Sequence, residues 1–177
     1  MANEADGTVN VTLQSTAKSK EPVRFFGTFP AKVATGTSQV TLPKAFKKSV
    51  EEGDEGQLML VPRDGEVFWQ LFTKKVFNQI IENTKGDPKF KEKNMGKVLA
   101  LKLSKSAIPV EYDTQGRFVV KEFAGKLGGE NNDVMFEAAH TYVRLWTLND
   151  YNAEQARVKA LEQSDEMKQA MSDVLDI

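Results

Sequence analysis

The chain has 177 residues, 40% of them hydrophobic and 28% charged, the proportions of an ordinary globular protein. Its 24 basic and 25 acidic side chains leave a net charge of −1, which counts against any reading built on overall attraction to phosphate. With no cysteine, disulfides, iron–sulfur clusters and thiolate zinc sites are excluded, and no apolar run approaches the roughly 18 residues of a membrane helix.

Residues 1–21 are polar, lack a sustained apolar period, carry no secretory-signal pattern, and are expected to be a flexible tail. A short alternation at Val9, Val11 and Leu13 leaves a docking strand open. Phe25 to Phe29 then reads as a strand that Pro30 interrupts, with Ala31 to Ala34 extended toward a polar turn, Thr35-Gly36-Thr37-Ser38-Gln39. Val40 and Leu42 alternate as in a half-buried strand, and Pro43 suits the first turn of a short helix with Ala45, Phe46 and Val50 on its apolar side. After a polar break from Glu51 to Gly56, Leu58 to Val61 and Val67 to Phe72 read as a strand pair joined through Asp64-Gly65.

Thr73 is placed to cap a helix whose Val76, Phe77, Ile80 and Ile81 share one face. Asn83 to Asn94 reads as a linker, Met95 to Leu103 has an apolar pattern of undefined type, and Ser106 to Tyr112 reads as a strand. The order of signals then repeats. Asp113-Thr114-Gln115-Gly116-Arg117 forms a turn leading into Phe118-Val119-Val120. An amphipathic segment (Lys121 to Leu127), a polar stretch (Gly128 to Asn132) and two more strands (Asp133 to Ala138, Tyr142 to Trp146) follow. Trp69 and Trp146 are expected at equivalent places in the two halves. Asn149 or Asp150 can cap a long final helix with Leu161, Met167, Met171, Val174 and Leu175 along one stripe.

Two readings of Asp113 and Arg117 stand side by side. They can form a surface ion pair that merely closes a turn, an arrangement of little energetic weight. Alternatively, the planar guanidinium can be presented to paired acceptors on guanine or phosphate, with the carboxylate fixing its direction and Gly116 allowing the bend. No other constellation competes. His140 is the sole histidine, the acids from Glu51 to Glu55 lack the alternating oxygens of a calcium loop, and no Gly-rich phosphate cradle occurs, so neither an enzyme, a metal site nor a cofactor is expected. The lysines from Lys85 to Lys97 read first as a solvated loop.

On Asp113, Gly116 and Arg117, with Val110-Glu111-Tyr112 before and Leu145-Trp146 after, the second half resembles the MraZ family of AbrB-like transcription regulators. The resemblance covers roughly residues 25–152 and is weaker in the first half, where Thr35 and Gln39 stand in place of the signature Asp and Arg. It implies an α+β fold of two tandem swapped-hairpin β units with short helices, related by a pseudo-twofold within the chain. The implied organisation is a first half at 22–83, a linker at 84–105, a second half at 106–152 and a C-terminal amphipathic helix at 153–177.

The resemblance further implies a cytoplasmic, nucleoid-associated protein that binds repeated promoter elements of cell-division and cell-wall genes. It implies homo-oligomeric rings, for which Val76, Phe77, Ile80, Ile81 and the last helix offer apolar surface. DNA contacts are expected from Asp113, Gln115, Gly116 and Arg117, from Thr37, Ser38 and Gln39, and from Lys32 and Lys44. The alternative is a ring-forming scaffold that has lost DNA binding. A single-unit antitoxin is a third reading, disfavoured by the repeat.

Overall fold

The computed structural model describes residues 24–51, 56–90, 92, 94–127 and 131–175. The N-terminal tail, most of the Glu51–Gly56 break, Lys91, Lys93 and the start of the Gly128–Asn132 stretch lie outside them. The chain runs as β1 (Thr28–Lys32), β2 (Gln39–Thr41), α1 (Lys44–Glu51), β3 (Gln57–Pro62), β4 (Trp69–Thr73), α2 (Lys74–Gly86) and α3 (Met95–Ser106). It continues as β5 (Ile108–Glu111), β6 (Arg117–Val119), α4 (Lys121–Ala124), β7 (Asp133–Ala138), β8 (Val143–Thr147), α5 (Leu148–Glu162) and α6 (Asp165–Leu175). The class is α+β.

Six strands form one antiparallel sheet in the order β1-β7-β8-β4-β3-β5, and β2 pairs with β6 in a separate ladder. The order is palindromic: exchanging β1 with β5, β7 with β3 and β8 with β4 reverses it onto itself. Each half lends its first strand to the hairpin of the other, since β1 pairs with β7 and β5 with β3. Pro30 does not interrupt its strand. It sits within β1 opposite Met135, just as Pro109 sits within β5 opposite Met59. Both are outer strands, where one side of the backbone has no ladder partner and a missing N–H is tolerated; the prolines also blunt the edges.

Side chains alternate across the sheet and so divide the core in two. On one face Leu58, Leu60, Leu71, Val134, Phe136, Val143 and Leu145 meet Val40, Leu42, Phe118 and Val120 from the small ladder, with Phe46, Val50 and Phe123 from α1 and α4. On the other face Met59, Val61 and Phe72 meet Val76, Phe77 and Ile81 of α2 and Ala100 of α3. Here the expectation for α2 is corrected in part: Val76 and Ile81 are buried within the chain under α3, and of the four residues only Phe77 and Ile80 line an open groove. The stretch 84–105 read as a linker is largely that covering helix. Gly96 permits the approach, since a Cβ there would collide with the Thr84 carbonyl oxygen.

Two caps fix the helices that follow the hairpins. Thr73 Oγ1 accepts from the Val76 amide at 3.3 Å, as its position predicts. At the second site the cap is Thr147, not Asn149 or Asp150: its Oγ1 accepts from the Asp150 amide at 3.1 Å and donates to the Asp150 carboxylate at 2.8 Å. The final helix is also broken, with Ser164 capping α6 by accepting from the Met167 amide at 3.2 Å. The tryptophans are not equivalent. The β4–β8 register pairs Gln70 with Arg144 at its centre and so matches Trp146 to Phe72 and Trp69 to Val143. Trp146 is buried, with its indole N–H donating to Glu137 at 3.0 Å, while Trp69 packs from the opposite face on Phe123.

Candidate nucleic-acid interface

The β2–β6 ladder has only three residue pairs, Gln39 with Val119, Val40 with Phe118 and Thr41 with Arg117. Val40 and Phe118 point into the core at 1% exposure each, so alternation turns Gln39, Thr41, Arg117 and Val119 outward together. Arg117 thus lies on the open face of a strand whose other face is locked to the sheet.

The turn before β6 is held by its own aspartate. The Asp113 amide donates to the Arg117 carbonyl at 3.0 Å and the Gly116 amide returns to the Asp113 carbonyl at 2.8 Å. One carboxylate oxygen accepts from the amides of Gln115 and Arg117, both at 2.9 Å, and the other accepts from Arg117 Nε at 2.7 Å. The backbone bond from Arg117 is the chief reason the Asp113 carboxyl is held below its ordinary range, with the guanidinium bond and the Gln115 amide adding to it. Asp113 engages only Nε, so the two terminal nitrogens of Arg117 meet no protein acceptor among the described residues, and the side chain stays 44% exposed.

A depressed carboxylate pKa stabilises the fold above the unfolded value and loses that contribution as pH falls below it. Asp113→Asn should therefore be less stable than wild type at pH 7, with the gap closing as the pH falls below the ordinary carboxylate range. Denaturant midpoints of the two proteins at pH 7 and pH 3 measure this; a gap unchanged by pH would remove the carboxylate from the account.

The second turn is also braced from the first half. Lys47 on α1 donates its ammonium to the Thr114 carbonyl and pairs with Glu51 at 3.4 Å, while the Leu42 amide donates to the Gly116 carbonyl at 2.8 Å. Lys47 escaped the sequence reading because its target lies 67 residues away. Gly116 has φ +80° and is buried, and a Cβ would meet Lys47 and Leu42 only at ordinary contact, 3.5 Å or more. Any penalty at this position is therefore conformational. Gly116→Ala is expected to cost about 1–2 kcal/mol by denaturant unfolding, and Gly116→Asn less, because asparagine tolerates the left-handed region.

The first turn follows the same plan with one added residue. The Ala34 amide donates to the Gln39 carbonyl at 2.7 Å, the Ser38 amide to the Ala34 carbonyl at 3.0 Å, and the Val120 amide to the Ser38 carbonyl at 2.8 Å. These bonds align Ser38 with Gly116, Gln39 with Arg117 and Ala34 with Asp113. The counterpart of the aspartate is thus Ala34, not Thr35, which instead accepts from Asn132 at 2.7 Å. Ser38 holds φ +53° with a side chain where the second turn has glycine.

The remaining candidates separate. Gln115 and Thr37 are exposed at the tips of the two turns, which lie at opposite ends of the antiparallel ladder. Lys44 opens α1, which carries Lys44, Lys47 and Lys48 against Glu51 and so sets a local cationic excess beside the second turn. Lys32 lies on the outer strand β1 and is paired with Asp133 at 3.5 Å. His140 caps the β7–β8 turn with φ +68° and packs on Phe26. Among the described residues no group of three His, Asp or Glu could hold a metal, and no helix is long and apolar enough to cross a membrane.

No protein-family model matches the chain, and a search of curated proteins finds no match.

Proposed function

We propose that this chain is a divergent MraZ-type regulator: two tandem swapped-hairpin units whose β2–β6 ladder meets DNA. One observation carries the reading. Arg117 is anchored through Nε by Asp113 and extends its two terminal nitrogens from an outward ladder face. That is the geometry a guanidinium needs to hold paired acceptors on a guanine edge or a phosphate. The palindromic strand order and the strand lent by each half to the other's hairpin support the architecture. The lysines of α1 beside the second turn support a local positive field despite the net charge of −1.

The two turns are unequal partners in this reading. Arg117 supplies charge, while Gln39 can pair an adenine edge and Thr37 or Ser38 can bond phosphate without releasing counterions. The proposed targets are repeated promoter elements, bound by an oligomer that adds weak contacts through effective concentration; by the resemblance they precede cell-division and cell-wall genes. The protein would then act in the cytoplasm on the nucleoid.

Titration of upstream DNA and of an unrelated duplex at several salt concentrations tests the proposal. Tighter binding to the upstream fragment, with affinity falling as salt rises, is expected. An oligomer indifferent to both duplexes would favour the scaffold reading instead.

A further inference from the structure

The C-terminal helix and the α2–α3 hairpin carry complementary, unfilled surfaces. Every residue of α6 is exposed. Met167, Met171, Val174 and Leu175 nonetheless fall at the spacing of a single helical face. An eleven-residue helix that buries nothing is marginal in water, so this stripe calls for cover. Glu166 and Asp173, one heptad apart, run along one flank of it.

The cover has a matching shape and charge. Between the β3–β4 hairpin and α2–α3 lies a groove of about 480 Å³, walled by Val61, Phe72, Phe77, Ile80 and Leu103. Its rim carries Arg63 and Lys102 against the single acid Asp64, which sits 3.9 Å from Lys102. The helix forming that rim has three lysines and no acid, whereas α6 has three acids and one lysine. In this chain α6 touches α5 only near their junction, and α5 lies against β7 and β8, while α2 and α3 lie against β3.

We infer that α6 of one copy docks its methionine-rich stripe in the α2–α3 groove of a second copy, with Glu166 and Asp173 facing Lys102 and Arg63. This is the helix-in-groove mode, and unbranched methionines suit an irregular wall. Each chain offers one helix and one groove, so the contact is heterologous and propagates from copy to copy into a closed ring or an open chain. The inference does not depend on DNA binding.

The natural absence of cysteine makes a cross-linking test clean. Chains carrying Ser106→Cys in the groove are mixed with chains carrying Ala170→Cys beside the stripe and mildly oxidised, so that a link between the two kinds can form only between copies. A covalent heterodimer exceeding either homodimer is expected. Met171→Asp with Val174→Asp, on a helix that buries nothing within its own chain, should leave the thermal midpoint of the dissociated chain unchanged. It should weaken self-association on the order of a hundredfold by sedimentation, the scale of losing two apolar anchors. Lys102→Glu should weaken association as well, with Asp173→Lys in the partner restoring it. A monomer at every concentration, an oligomer unaffected by the double aspartate variant, or a chain carrying both cysteines that closes only on itself would each overturn the inference.

Discussion

Arg117→Ala is expected to weaken binding to upstream DNA by roughly tenfold to a hundredfold, the worth of one well-held bidentate contact at about 1–3 kcal/mol. The fold should barely register the change, because the side chain is 44% exposed and its backbone ladder is unaffected. The salt dependence identifies what is gripped. If the terminal nitrogens hold a phosphate, the slope of log affinity against log salt should fall by about 0.9 per lost contact, equally on all duplexes. If they hold a base edge, the slope should change little and the preference for the upstream fragment should shrink. Arg117→Lys separates charge from geometry, since it keeps the cation and loses the fork. Asp113→Asn should fall between wild type and Arg117→Ala, because the guanidinium remains but its Nε anchor is weakened. Equal affinity and equal slope for wild type and Arg117→Ala would take this face out of DNA recognition altogether.

What the sequence made legible here was local. The bonds that Asp113 makes to Gln115, Gly116 and Arg117 are all internal to five residues, so residue type and spacing suffice to anticipate them, unlike the bracing from Lys47 and Leu42. The same holds for the Thr73 cap and for the alternation that buries Val40 and Leu42. What failed to show were relations fixed by register and by distant contact. Trp69 and Trp146 look equivalent along the chain, yet the β4–β8 pairing sets them on opposite faces of the sheet. Thr35 looks like the counterpart of Asp113, yet an extra residue in the first turn hands that role to Ala34. The helix at 95–106 was obscured because lysines interleave with its apolar residues and a glycine stands near its start. At that glycine the Thr84 carbonyl of α2 leaves no room for a Cβ. Pro30 misled for a related reason, since its tolerance depends on the strand being outermost.

Phe118→Ala is expected to damage stability severely. Phe118 is 1% exposed, sits opposite Val40 at the centre of the three-pair ladder and packs edge-on against Phe136 of the main sheet at 6.4 Å between ring centres. Removing a buried phenyl ring costs about 3–5 kcal/mol, from lost transfer energy and from the cavity left behind. Set against the roughly 5–15 kcal/mol that holds a typical domain together, that is a large fraction of the total. One residue along, Val119 faces outward at 48% exposure, and Val119→Ala should stay within about 0.5 kcal/mol of wild type. Urea unfolding of the two variants measures the contrast directly. A loss below about 1 kcal/mol for Phe118→Ala would mean that the ladder is not held to the sheet by this ring. The same variant bears on function, because Phe118 fastens the strand that presents Arg117 and pairs with the one presenting Gln39. Phe118→Ala should therefore lose DNA affinity together with stability, whereas Arg117→Ala should lose affinity alone.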